Sequence, residues 1–171
     1  MENLTVTVQA TINEQLIQSE VTNPANKEEI QQALLDQFEK DNSENEEIIN
    51  NILPDIEVEK IDFEVTDWGE VADYENLRDI DTIIEIVDEN VSYDFDVISA
   101  AVECDISIHD IDEAYNGSYK DDEDFAYETA MSLGEIDKNA HWPNNCIDWE
   151  QAAKELMYDY SEANGHYFRN L

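Results

Sequence analysis

Leu4-Thr5-Val6-Thr7-Val8-Gln9-Ala10, then Asn13-Glu14, then Gln15-Leu16-Ile17-Gln18-Ser19-Glu20-Val21 decides the reading of the fold. The first run alternates apolar and polar residues and is rich in β-branched side chains, the period-two pattern of a half-buried strand. Asn13-Glu14 reads as a turn, and Gln15 to Val21 as a second strand, giving a hairpin. Asn26 then stands where a cap belongs, ahead of a helix over residues 27–40. Ile30, Ala33, Leu34 and Phe38 fall at helical spacing on one face of it. The chain therefore starts as a small α+β unit.

Reading outward, residues 44–53 suggest a helical turn around Ile48, Ile49 and Ile52. Residues 58–65 return to strand alternation, with Val58, Phe63 and Val65 as core candidates, and this module spans residues 1–70. From Asp73 the pattern becomes helical. Residues 75–89 place Leu77, Ile80, Ile83, Ile84 and Val87 on a stripe, and residues 92–103 place Phe95, Ile98, Ala101 and Val102 inward. A short segment follows over 105–114, and Asn116-Gly117 is a turn signal. A helix over 121–133 turns Phe125, Ala126, Thr129 and Ala130 inward, with Gly134 as its C-cap. Residues 71–135 thus read as an acidic helical bundle. Residues 135–147 read as a loop containing His141, Trp142 and Pro143. A helix over 148–160, broken by Gly165, and a terminal strand over 166–169 make a C-terminal α+β module over 136–171. The expected fold is α+β and elongated, with three modules in a row. An extended form spreads charge and lowers self-repulsion.

Charge is the strongest chemical signal. The 171 residues carry 44 Asp and Glu against 8 Lys and Arg, a formal net charge of −36. A compact chain of this length is roughly 40 Å across, and duplex DNA over that span shows about 24 phosphates. The carboxylates therefore suffice to match the charge density of DNA. Direct nucleic-acid binding needs basic contacts that this chain lacks, and an anionic membrane would repel it. A basic groove on another protein would attract it, with association that weakens as salt rises. An apolar content of 42% argues against disorder.

Residues 55–135 hold 27 of the 44 carboxylates but only Lys60, Arg78 and Lys120 as cations. An ordinary solvated face mixes both signs. The candidate partner-binding carboxylates occupy the non-core helix positions: Glu75, Asp79, Glu85, Asp88, Glu89, Asp94, Asp96, Glu103, Asp121, Asp122, Glu123, Asp124 and Glu128. The run Asp121-Asp122-Glu123-Asp124 places like charges side by side at a cost in stability.

Catalysis finds little footing. His109, His141 and His166 lie in no nucleophile motif, and the four glycines form no phosphate loop. Against a calcium loop, Asp112, Asn116, Gly117 and Glu123 match positions 1, 5, 6 and 12, but Ala114 and Lys120 stand where ligands belong. Cys104 and Cys146 form no CxxC, so reduced thiols and no metal are expected. No cofactor is implied. The first residues show no leader pattern and no apolar run is long enough to span a bilayer, so a cytoplasmic protein is expected.

A family resemblance sharpens this. Residues 112–126, Asp-Glu-Ala-Tyr-Asn-Gly-Ser-Tyr-Lys-Asp-Asp-Glu-Asp-Phe-Ala, resemble the aromatic-rich turn and acidic helix of ArdA-type antirestriction proteins. Ile147-Asp148-Trp149-Glu150-Gln151-Ala152-Ala153-Lys154-Glu155-Leu156 resembles that family's C-terminal helix start, and Gly165-His166-Tyr167-Phe168-Arg169-Asn170 its closing strand. The resemblance is motif-specific over about the last third of the chain, and the family's antirestriction motif falls roughly on residues 133–149. It implies an elongated homodimer from a phage or mobile element. Its carboxylates would imitate DNA in the groove of a type I restriction–modification enzyme, at the methyltransferase and specificity core in the bacterial cytoplasm. The residues alone also allow a mimic aimed at a CRISPR nuclease or RNA polymerase. They equally allow an acidic calcium-binding or scaffold protein, or an acidic hydrolase.

Overall fold

A computed structural model describes residues 3–134, 136 and 146–171. It is a mixed α+β protein that divides into two compact units between Tyr93 and Asp94. In the first unit, β1 (Thr5–Ile12) and β2 (Gln15–Thr22) form an antiparallel hairpin in register from Thr5↔Thr22 to Ile12↔Gln15. The turn residues Asn13 and Glu14 both have positive φ, 48° and 65°. That conformation matches the twist of paired strands in a two-residue loop. β3 (Phe63–Asp67) pairs antiparallel with the other side of β1, giving the order β2-β1-β3.

Helix α1 (Lys27–Asp41) begins as its sequence suggests. The Asn26 side chain accepts from the Glu29 N–H at 2.8 Å, and Glu29 accepts from the Ala25 N–H at 2.9 Å. The first satisfies a donor that a helix start leaves open, a cap contributing about 1 kcal/mol, and the second fastens the chain just ahead of the cap. Ile30, Leu34 and Phe38 are fully buried, as are Val6 and Val8 of β1. Each large aliphatic side chain so buried contributes roughly 1.5–3 kcal/mol.

Two elements of this unit differ from the sequence reading. Residues 58–65 are not one strand: Val58–Lys60 is a short 3₁₀ turn, Ile61 is buried, and pairing begins at Phe63 opposite Ala10. Val58, Phe63 and Val65 are only half-buried. Residues 75–89 are not one helix either. Glu75–Leu77 is a 3₁₀ turn that buries Leu77, and α2 (Ile80–Asp88) starts anew at Asp79. An Asp there does more as a cap than inside a helix. The stripe of α2 also includes Ile86, which is fully buried.

The second unit contains α3 (Phe95–Glu103), α4 (Ile111–Ala114), β4 (Tyr115–Ser118), α5 (Asp122–Ser132), α6 (Trp149–Leu156), β5 (Tyr160–Ala163) and β6 (His166–Arg169). Its antiparallel sheet has the order β4-β6-β5. The helices expected to form one bundle over 71–135 are thus shared out: α2 belongs to the first unit, and α3, α4 and α5 to the second. Asn116-Gly117 is no free turn but lies within β4, where the register slips between Tyr115 and Gly117. The expected helix over 148–160 stops at Leu156, and Tyr160 to Ala163 form a strand instead. Asn164 and Gly165, at φ 53° and 83°, turn that strand back into β6. Asn-Gly between two paired strands is the signature of such a hairpin.

Beside the buried Ile98, Ile108 and Ile111, the core of this unit holds a ring cluster. Phe125 stacks on Tyr167 at 4.4 Å between centroids and meets Tyr160 and Tyr119 at 4.9 and 5.0 Å. Tyr115 lies against Phe168 and His166 at 5.4 and 5.8 Å.

Candidate protein-binding surface

Twelve of the thirteen candidate carboxylates are exposed, and Asp124 is half-buried. Their positions on the helices separate them into two sets.

The first set has work inside the fold. Asp79 caps α2, its Oδ2 accepting from the Asp81 and Thr82 N–H groups at 3.1 Å each. Asp121 caps α5 by accepting from the Asp124 N–H at 3.0 Å, and it also accepts from Lys120 Nζ at 2.8 Å. That lysine hydrogen bond holds the Asp121 carboxyl below the usual aspartate range and raises Lys120 in turn. Asp122, Glu123 and Asp124 occupy the first turn of α5. Anions there are favoured by the helix dipole by about 0.3–1 kcal/mol each. Asp122 further accepts from the buried Tyr167 hydroxyl at 2.7 Å, and Asp124 from the Lys120 N–H at 3.3 Å. The run that costs stability as a row of like charges is therefore, in part, ordinary helix-start chemistry. Asp94 holds the N-cap position of α3 and Asp96 its first turn. Asp96 Oδ2 lies 3.5 Å from Nε2 of His166, which is buried and meets the Tyr115 hydroxyl through Nδ1 at 3.0 Å. Glu103 accepts from Asn164 Nδ2 at 3.0 Å.

The second set has no such role in capping, and part of it runs against local physics. Glu85, Asp88 and Glu89 sit at the C-terminal end of α2, whose last turn holds no basic residue. The negative end of the helix dipole disfavours anions there. Glu85 and Glu89 are also like charges at i and i+4, costing about 0.2–0.5 kcal/mol. Glu75 stands in the 3₁₀ turn ahead of α2, and Glu128 lies well past the first turn of α5.

The cations neutralise little of this field. Lys27 pairs with Asp81 at 2.7 Å, Lys60 with Glu57 at 2.6 Å, and Lys154 with Glu150 at 2.6 Å, all in solvent. Such pairs contribute about 0–1 kcal/mol. By sequence, the first unit has 25 acidic against 4 basic residues and the second 19 against 4, net charges of −21 and −15.

Among the described residues, no three metal-ligating side chains are gathered to hold an ion. The partial calcium-loop match is spread over α4, β4 and α5, with Asp112 on the first, Asn116 and Gly117 on the second and Glu123 on the third. His109 is exposed. Cys146 is exposed and Cys104 half-buried, and neither is in a disulfide. Burial, followed by the neighbouring Glu103 carboxylate, pushes the Cys104 thiol up. His141, Trp142 and most of the loop between α5 and α6 lie outside the described residues. No described helix is long and apolar enough to cross a membrane. Residues that the sequence reading did not single out as functional are Tyr115 and Tyr167, whose hydroxyls engage His166 and Asp122. The Asn164-Gly165 turn signal, which puts Tyr167 on a strand, is what could have found the second of these.

Compared with known proteins, the chain matches no family model, no curated protein and no solved structure.

Proposed function

We propose that this protein is a non-enzymatic DNA mimic. It acts in the bacterial cytoplasm by occupying the DNA-binding groove of a type I restriction–modification enzyme, and it works as a homodimer. The target and the dimer follow from the resemblance of residues 112–126, 147–156 and 165–170 to ArdA-type antirestriction proteins. The observation that carries the reading is the acidic C-terminal end of α2. Glu85 and Asp88 stand where the helix dipole opposes them, with no basic residue in that turn. Carboxylates retained against local stability are explained by a use for their field. Offered to a basic groove, they stand in for phosphates, and release of the counterions around them supplies affinity as it does for DNA.

The test is competition. A fluorescent duplex bound to a type I methyltransferase core is titrated with the protein at two salt concentrations. The expected result is displacement that weakens as salt rises. The double variant Glu85→Gln/Asp88→Asn should displace DNA about tenfold less well while unfolding at a higher urea concentration, by about 0.5–1 kcal/mol. Absence of displacement, or a double variant that competes as well as the parent, overturns the reading.

A further inference from the structure

The sheet of the first unit has two outer strands, and only one of them is guarded. β3 carries the features that keep an edge from pairing. It is five residues long, its register against β1 slips between Thr7 and Val8, and it holds Glu64 and Asp67. β2 is eight residues long, and its register against β1 runs without a slip. It contains no proline, no lysine or arginine, and one carboxylate, Glu20. Ile12 and Gln15 flank the two-residue turn as a hydrogen-bonded pair. Such pairs alternate along antiparallel strands, so Leu16, Gln18, Glu20 and Thr22 turn their backbone groups away from β1. All four residues are exposed. No backbone group among the described residues pairs with theirs on that side. The surroundings are also poor in charge: residues 3–26 hold only Glu14 and Glu20 as acids, in a chain where 44 of 171 residues are acidic.

We propose that this edge pairs with β2 of a second copy, antiparallel about a two-fold axis at Ser19, and joins the two three-stranded sheets into one. A two-fold contact sets the same patch against itself, and the side chains of β2 suit that. With the axis at Ser19, Leu16 pairs with the partner's Thr22 and Gln18 with the partner's Glu20, so every outward backbone group is used. The carboxylate then faces a neutral amide. An axis at Glu20 would set the two carboxylates opposite each other, at a cost. On the helix-covered face the buried Ile17 falls opposite the partner's Val21, also buried, so the apolar faces run on into each other. On the other face Leu16, 68% exposed, gains a neighbour. Nothing in the strand selects a basic segment. The charge of −36 on each copy opposes the contact from a distance, and salt screens that repulsion. Association should therefore tighten as salt rises, whereas competition with DNA weakens. The inference names an interface for the proposed homodimer but rests on the hairpin and not on DNA mimicry.

Sedimentation of the full chain over about a hundredfold range of concentration measures the association. A monomer–dimer equilibrium is expected, about tenfold tighter at about 1 M salt than at about 0.1 M. Gln18→Pro removes an outward N–H from an edge strand, where proline is tolerated. It should leave the chain monomeric with the parent's amide spectrum outside the hairpin. Ser19→Cys, in a chain carrying Cys146→Ser, puts two thiols across the axis with Cα atoms about 4.5 Å apart, a span that a disulfide bridges. It should oxidise to a covalent dimer, while Thr11→Cys in the same chain should not. The inference fails if the chain stays monomeric at both salt concentrations, or if association weakens with salt. It fails equally if Gln18→Pro dimerises as the parent does, or if Ser19→Cys yields no more covalent dimer than Thr11→Cys. In those last two cases the dimer uses another face, and displacement of DNA from the restriction enzyme is untouched.

Discussion

The two units solve the same problem with different side chains. Each has a three-stranded antiparallel sheet, and each carries a surplus of carboxylates. The first builds its core from Leu4, Val6, Val8, Ile30 and Leu34, with Phe38 on the same helix stripe. Its carboxylates stay outside that core, and at the end of α2 they oppose the helix they sit on. The second adds a ring cluster around Phe125, Tyr167 and Phe168 to an aliphatic core of Ile98, Ile108 and Ile111, and two of its polar rim groups reach carboxylates: the Tyr167 hydroxyl meets Asp122, and His166 meets Asp96. Aliphatic packing gains from area alone. Ring packing adds geometry, and a phenol adds a donor that an acidic surface can use. An acidic side chain can thus brace a fold or merely load it, and which it does depends on what donors lie beneath.

Substitutions can break or sharpen that contrast. The largest effect is expected in the first unit at Gly69, which has φ +52°, and where an added Cβ would come within 2.2 Å of the Thr5 carbonyl oxygen. Backbone cannot step aside, so Gly69→Ala should cost at least about 4 kcal/mol, read as a collapse of the urea midpoint or loss of soluble protein. Next comes a matched pair. Phe38→Leu should cost about 1 kcal/mol, as a near-volume swap does. Phe125→Leu should cost about 2–3 kcal/mol, because it also gives up ring contacts with Tyr167, Tyr160 and Tyr119. Equal losses in chemical denaturation would erase the distinction between the two cores.

Tyr167→Phe tests the brace itself. It should cost about 1–2 kcal/mol near neutral pH. Burial, and then the hydrogen bond to the Asp122 carboxylate, push the Tyr167 hydroxyl well above the usual tyrosine range. The unfolded chain therefore loses this proton first as pH rises. The stability it contributes is full below about pH 10 and declines above it. The stability of the parent should consequently fall more steeply than that of the variant between about pH 9 and about pH 11, read by denaturation at each pH. The smallest effect is expected at the hairpin tip. Glu14 holds φ 65° without the Asn or Asp side chain that eases this conformation elsewhere in the chain. Glu14→Gly should add about 0.5–1 kcal/mol, visible as a higher melting temperature.

The elements legible in the sequence were those whose signals agree at every level. The β1–β2 hairpin and α1 combine alternation, a turn and a cap. β3 was misplaced because the apolar Val58 extends the run of residues only in composition: it is out of phase with Ile61, Phe63 and Val65 and belongs to a 3₁₀ turn, with Ile61 turned inward. β5 was hidden because Tyr160-Ser161-Glu162-Ala163 carries little hydrophobic period and follows a helix without a break. The acidic positions were legible as the non-core sides of helices. Their division into two sets was not, because reading residues 75–89 as one helix put Asp79 mid-helix and hid its role as a cap.

The turn between β5 and β6 has a consequence for how the protein ages. Asn-Gly steps deamidate when the glycine nitrogen attacks the asparagine side chain to form a succinimide. Here the Gly165 N–H donates to Glu162 Oε1 at 2.7 Å, and the Asn164 amide is drawn off toward Glu103. Both reacting groups are held by carboxylates, so the acidic surface shields this turn from a reaction whose product would be one more acid beside Glu103.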